Sequence, residues 1–108
     1  MALSRDFKET IKARAERDRK FRIGLLEEAL DAFLGADLET GKVLLRDYVN
    51  ATVSFETLAA QLHKSPKSLM RMLSAQGNPR ATNLFAVIAH WKAHEGVAFR
   101  VQRSGKAR

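Results

Sequence analysis

Most of the side chains that could bind a ligand lie close together in the sequence, between residues 64 and 80. Lysine and arginine in this stretch can neutralise phosphates, serine and asparagine can hydrogen-bond to phosphates or base edges, and methionine can contact a thymine methyl group. Together these groups suit duplex DNA. The residues concerned are Lys64, Lys67, Ser68, Met70, Arg71, Asn78 and Arg80.

Other chemistries lack the residues that they need. His90 and His94 have the i, i+4 spacing of zinc ligands, but the chain has no cysteine and Glu95 falls on another helix face. His63 has no obvious serine or aspartate partner for a hydrolytic triad. Gly41-Lys42 lacks the preceding glycine and the strand of a phosphate-binding loop. We therefore expect no metal, no cofactor and no enzymatic activity.

Two short helices over residues 54–74 are predicted to position the DNA-binding groups. Ser54 is a good N-cap for the first helix. The break at residues 63–65 is too short for anything but a tight turn, so the helices must cross steeply and share their apolar faces. This is the pattern of a helix-turn-helix, which also occurs in helical cores that touch no nucleic acid. The apolar face of the first helix is formed by Phe55, Leu58, Ala59 and Leu62.

The second helix is predicted to enter the major groove of DNA. Ser65 caps it and Pro66 begins it, because the N–H that proline lacks is not needed in a first turn. The major groove admits one helix, and a helix packed behind it fixes the angle of entry. The buried side carries Leu69, Met72 and Leu73, and the exposed side carries Lys67, Met70, Arg71 and Ser74.

A turn and a further helix follow the second helix. Gly77 is expected to take a positive φ, Asn78 to cap the next helix and Pro79 to begin it. The free N–H groups of that first turn, beside Arg80, suit a phosphate. Thr82 and Asn83 lie in that first helical turn, and ordinary helix capping explains their polar side chains as well as phosphate binding does.

The charge distribution makes the C-terminal half of the chain, which holds the candidate binding residues, the basic half. The chain has 108 residues, the size of one domain, and a formal net charge of +7. Residues 54–108 hold nine Lys or Arg and two Asp or Glu, whereas residues 21–53 hold three and six. The positive excess therefore lies with the helix-turn-helix, as phosphate binding requires, although three of these charges belong to a basic tail. No stretch resembles a membrane span or a signal peptide, so we expect a cytoplasmic protein without a membrane partner.

The first half of the chain is predicted to form three helices. Residues 4–19 carry a narrow apolar stripe, so this helix either packs on the domain or awaits a partner surface. Residues 21–35 form a core helix that Gly35 ends, and Asp37 caps a third helix that runs to about residue 53. The narrow stripe consists of Phe7, Ile11 and Ala15.

The last helix and the segment after it complete the predicted fold. Trp91 lies on the apolar stripe of the last helix, where a core position is favoured over a base-stacking one, and the helix ends near Gly96. Residues 97–101 alternate apolar and polar side chains, which predicts a short strand. That strand either pairs with its copy across a dimer two-fold or packs as an extended tail.

The sequence thus predicts an all-α fold, a repressor-like helix-turn-helix domain of about five helices with an extra N-terminal helix and a short C-terminal strand. Residues 1–20 form an N-terminal helical extension in this scheme. Residues 21–102 form the DNA-binding domain, with the helix-turn-helix at 54–74. Residues 103–108 form a disordered basic tail.

The segment from Leu25 to Val101 resembles the helix-turn-helix antidote proteins of bacterial toxin-antitoxin modules, the HigA-like group with a phage-repressor type of DNA-binding domain. The resemblance rests on six short motifs. The turn position that the group usually fills with glycine is His63 here, which must accept a left-handed or similar conformation. The motifs are Leu25-Leu-Glu-Glu-Ala-Leu30, Ala36-Asp-Leu38, Leu45-Arg-Asp-Tyr48, Leu58-Ala59, Ser65-Pro-Lys-Ser-Leu69 and Leu73-Ser-Ala-Gln-Gly-Asn-Pro79.

The resemblance implies a regulator that binds a double-stranded DNA operator, commonly as a homodimer, and neutralises a toxin encoded beside it. Lys67, Ser68 and Arg71 would fall on its recognition helix, with Asn78 and Arg80 in a loop that contacts phosphates. We therefore expect an antitoxin that represses its own operon. The alternative is a protein-interaction module that binds and neutralises a basic toxin through its N-terminal helix and its acidic residues 21–53, with the helix-turn-helix only a scaffold.

Overall fold

The computed structural model of the chain describes residues 5–52 and 54–104, and the elements among them are all helical, as the sequence predicts. Within these residues, no helix is both long enough and apolar enough to cross a lipid bilayer. The helices are α1 (Arg5–Arg17), α2 (Arg19–Leu34), α3 (Leu38–Ala51), α4 (Ser54–Leu62), α5 (Pro66–Met72) and α6 (Ala81–Glu95).

The first helix packs against α2 and α3, which was one of its two predicted roles. Ala15 is fully buried there, while the side chains of Phe7 and Ile11 lie outside the described residues. The helix ends at Arg17 rather than near residue 19, because Asp18 caps α2. The Asp18 Oδ1 accepts a hydrogen bond from the Phe21 N–H at 3.1 Å, and this bond satisfies one of the free N–H donors in the first turn of α2.

A tight turn joins α2 to α3. Gly35 ends α2 as predicted: it is the C-cap with a φ of −86°, and the next residue, Ala36, takes the left-handed conformation with a φ of 64°. The turn satisfies terminal carbonyls of α2, since the Asp37 N–H donates to the Ala32 carbonyl at 2.8 Å. Asp37 then caps α3 as predicted, and hydrogen bonds from Thr40 lower the pKa of its carboxyl.

The core lies where α2, α3, α4, α5 and α6 meet. Trp91 is fully buried, as predicted, and its ring centroid lies 5.1 Å from that of Tyr48 at a tilted angle, an arrangement that aromatic pairs favour. A Cβ at Gly41 would lie 2.2 Å from the ring of Phe33, so a larger residue at position 41 would have to displace that ring where α2 and α3 approach.

The C-terminal part departs from the predictions in two places. Helix α6 begins at Ala81 rather than Pro79, and it ends as predicted at Gly96, whose φ is 68°. The strand predicted over residues 97–101 is absent, because the described residues offer no strand with which it could pair. Phe99 instead packs on the core, whereas Val101 is 85% exposed. Of the predicted tail, residues 105–108 lie outside the described part of the chain.

Candidate nucleic-acid interface

Two serine caps and two left-handed residues, Ser54 with a φ of 65° and His63, build the α4-turn-α5 unit. The Ser54 Oγ accepts a hydrogen bond from the Thr57 N–H at 3.3 Å, and the Ser65 Oγ accepts one from the Ser68 N–H at 3.1 Å. His63 has a φ of 57°, so it adopts the left-handed conformation that the sequence required of it. These features confirm the predicted helix boundaries around the turn.

The outer face of α5 carries the predicted reading residues. Leu69 and Leu73 are each only 1% exposed and hold the helix on the core. Lys67 and Arg71 are exposed on the other side, and Met70 is 52% exposed despite its apolar side chain. We refer to Lys67, Met70 and Arg71 as the outer face of α5.

A groove of about 470 Å³ lies beside this outer face, between α5 and the loop that leads to α6. Five of the seven predicted site residues line it, while Lys67 and Met70 lie outside it on the outer face. Residues distant in sequence are therefore brought to one surface. The five residues are Lys64, Ser68, Arg71, Asn78 and Arg80.

The loop that forms the far side of the groove differs in detail from the prediction. Gly77 does not have a positive φ, and its role is instead close packing: a Cβ there would lie 2.1 Å from the Arg71 carbonyl oxygen. The residue in the N-cap position of α6 is Arg80, in extended conformation and without a side-chain capping bond, so Asn78 is not the cap. Thr82 and Asn83 occupy the first turn of α6, as predicted.

We predict that Gly77→Ala lowers the free energy of unfolding by about 2 kcal/mol, because the new methyl group must displace backbone at the end of α5. Urea denaturation measures the change. Gly24→Ala is the matched control, since no atom lies within 4 Å of a Cβ there and alanine favours the interior of α2. Equal effects of the two substitutions would contradict the close packing of Gly77.

Two cations from α3 fix the loop and the end of α5. The Lys42 side chain is 1% exposed, and its ammonium donates to the carbonyls of Ser74 at 2.8 Å and Gly77 at 2.7 Å. Arg46 Nη1 donates to the Leu73 carbonyl at 3.2 Å. Helix C-termini leave such carbonyls without partners, and a positive charge also complements the helix dipole. Lys42 and Arg46 therefore position the loop and the end of α5 without lining the groove.

Sequence reasoning assigned Lys42 no role and missed this function. Lys42 follows Leu38 by four residues and precedes Leu45 by three, so it lies on the apolar face of α3. A lysine on a buried face requires acceptors for its charge. That pattern could have identified it.

A second buried polar cluster ties α6 to α2 and α3. Glu95 is buried, with 6% of the residue exposed. Its carboxylate accepts hydrogen bonds from Arg22 Nε at 2.9 Å and from the Tyr48 hydroxyl. Arg19 Nη2 donates to the Glu95 carbonyl at 2.6 Å. Burial and the bond to Glu95 raise the pKa of Tyr48, so its hydroxyl stays protonated as the donor. This cluster holds the C-terminal end of α6 in place.

The cations around the groove and the outer face have no acidic partner in the part of the chain that the structure describes. Within residues 5–52 and 54–104, no carboxylate forms an ion pair with Lys64, Lys67, Arg71 or Arg80. Most of the acidic residues singled out in the sequence are exposed on other elements, as predicted. They are Glu27, Glu28 and Asp31 of α2 and Glu39 of α3.

Comparison of the chain with protein-family models, with curated proteins and with solved structures finds no match in any of the three. In the described part of the chain, no group of three or more His, Cys, Asp or Glu side chains could hold a metal. A set of cations beside a groove, none with an acidic partner among the described residues, suits a polyanion such as a nucleic acid.

Proposed function

We propose that this protein is a sequence-specific DNA-binding regulator that inserts α5 into the major groove. The observation that carries the proposal is the outer face of α5, where Lys67 and Arg71 are exposed and unpaired among the described residues, on a helix held rigidly by buried leucines. A helix that reads base edges needs such a face, because its core side must pack while its charged side remains free.

The groove residues supply the remaining contacts in this proposal. Lys64 and Arg80 flank α5 and neutralise phosphates on either side of the major groove, and Asn78 hydrogen-bonds to the same backbone. Met70 contacts a thymine methyl group, which gives an exposed apolar side chain a partner. Base contacts by the outer face then provide specificity, and the phosphate contacts set the register.

The resemblance to the antidote group extends the proposal to an antitoxin that represses its own operon. The partner would be a toxin encoded by the neighbouring gene. The exposed acidic residues of α2 would attract a basic protein, which supports a toxin as partner. The same residues also suit the alternative function, a toxin-binding module in which the helix-turn-helix is only a scaffold. The two functions differ in which half of the chain is sensitive to charge reversal.

We expect the double variant Lys67→Ala/Arg71→Ala to lose at least about tenfold in affinity for duplex DNA, because each contact of this kind contributes roughly 1–3 kcal/mol. Retention on an immobilised duplex at low salt measures the loss. The matched control is Arg17→Ala/Lys20→Ala, which removes the same charge from exposed residues at the α1–α2 junction.

If the wild type and both double variants are retained equally, α5 does not bind DNA and the proposal fails. Equal loss in the two variants would mean that only the net charge matters, which contradicts sequence reading by α5. Co-purification with the product of the adjacent gene tests the antitoxin part separately. Absence of that complex would remove the antitoxin function and leave DNA binding unaffected.

A further inference from the structure

A second groove, of about 810 Å³, lies between α2 and α6 and shares no residue with the groove beside α5. Its lining includes three large apolar side chains that are largely exposed: Leu34 at 71%, Phe85 at 62% and Val101 at 85%. Solitary exposed apolar residues are common on protein surfaces, but several in one concave patch mark a binding surface.

The charges around this groove differ between its two walls. The wall formed by α2 carries three exposed carboxylates, whereas the wall formed by α6 and the C-terminal segment carries Lys92 and Arg100. None of these five groups has an ion-pair partner among the described residues. We call Glu27, Glu28 and Asp31 the acidic wall, and Lys92 and Arg100 the basic wall.

We propose that a second copy of this chain occupies the groove. A two-fold axis that runs along the groove brings the acidic wall of each copy against the basic wall of the other, and it brings both sets of apolar side chains together. Such an interface is isologous, because the same patch serves on both copies. A single-sign partner would be attracted by one wall and repelled by the other, so this charge pattern favours self-association.

In this arrangement the two C-terminal segments lie apart. A two-fold axis along the groove separates the C-terminal segments of the two copies, so residues 99–102 of each copy contribute to a wall and form no strand pair. Helix α5 contributes no residue to this groove, and its outer face stays free in both copies. The inference goes beyond the proposed function and does not depend on DNA binding.

Sedimentation equilibrium of the whole chain tests the inference with two charge-reversal variants. Glu27→Lys/Asp31→Lys makes both walls basic, and Lys92→Glu/Arg100→Glu makes both acidic. Each variant alone should raise the dimer dissociation constant at least about thirtyfold, because like charges then face each other on both sides. An equimolar mixture of the two variants should form a heterodimer with affinity close to that of the wild-type dimer.

Phe85→Ser provides a charge-independent check and should weaken the dimer as well, since Phe85 is 62% exposed and its loss spares the monomer core. Circular dichroism confirms that each variant folds. Three results would overturn the inference: a wild-type chain that is monomeric up to about 1 mM, unchanged self-association in all three variants, or a mixture of the charge variants that remains monomeric.

Discussion

Replacing Lys42 by methionine is expected to lower the free energy of unfolding by about 3–4 kcal/mol, because the carbonyl groups of Ser74 and Gly77 then lose a charged donor. The ammonium makes hydrogen bonds to Ser74 and Gly77 and an ion pair with Glu39 at 3.0 Å. Methionine preserves the length of the buried side chain but can donate nothing. A melting temperature lowered by roughly 10–20 °C would accompany this change in a domain of this size.

The same substitution should weaken DNA binding, since Lys42 fixes the loop that carries Asn78 and Arg80. Lys20→Met is the control, because Lys20 is exposed and a surface change of this kind alters stability by only about 0.5 kcal/mol. Thermal denaturation of both variants makes the comparison. If Lys42→Met and Lys20→Met have the same melting temperature, the hydrogen bonds from α3 to the loop do not stabilise the fold.

Glu95→Gln is expected to lower the free energy of unfolding by about 3 kcal/mol at neutral pH, because it removes the charge that Arg22 faces in a largely buried site. Glutamine retains one oxygen acceptor, so Arg22 and Tyr48 would compete for it. Glu16→Gln is the matched control, because Glu16 is an exposed residue of α1 and its substitution should change the free energy of unfolding little. Chemical denaturation compares the two. Equal stability of the variants would show that the cluster contributes nothing.

The effect of Glu95→Gln should also depend on pH. Burial alone raises the pKa of Glu95, but hydrogen bonds from Arg22 and Tyr48 outweigh it and hold the pKa below its usual value. A carboxyl with a lower pKa in the folded chain stabilises it above the unfolded pKa, and this stabilisation is lost as the pH falls through the folded pKa. The difference between wild type and variant should therefore shrink below about pH 4. A difference that stays constant down to acid pH would contradict this assignment.

Local patterns predict the helices around the candidate site well. Serine caps, proline at a first helical position and apolar spacing depend on contacts within one or two turns, so Ser54, Ser65 and Pro66 specify α4 and α5 without the rest of the chain. The exposed face of α5 follows from the same spacing. A helix boundary inside a charge-rich segment is harder to predict. Between α1 and α2, the side chain of Asp18 is the only local signal of the boundary.

The supporting residues could not be placed from local patterns because their partners are far along the chain. Lys42 bonds residues 32 to 35 positions away, and Glu95 contacts Tyr48 and Arg22 at separations of 47 and 73. Spacing shows only that each charge lies on an apolar helix face, Glu95 four residues after Trp91. The packing of Gly77 against the Arg71 carbonyl likewise depends on tertiary contact, which overrides the positive φ expected of a turn glycine.

The central claim is that the surface around α5 binds the phosphates and bases of duplex DNA. The most direct measurement is the affinity of the wild-type chain for a duplex as a function of salt concentration. With Lys64 and Arg80 each neutralising a phosphate, the log-log slope should be about −2 per bound protomer, and the double variant Lys64→Ala/Arg80→Ala should abolish most of it. An affinity that is independent of salt, or a slope that the double variant leaves unchanged, would contradict the claim.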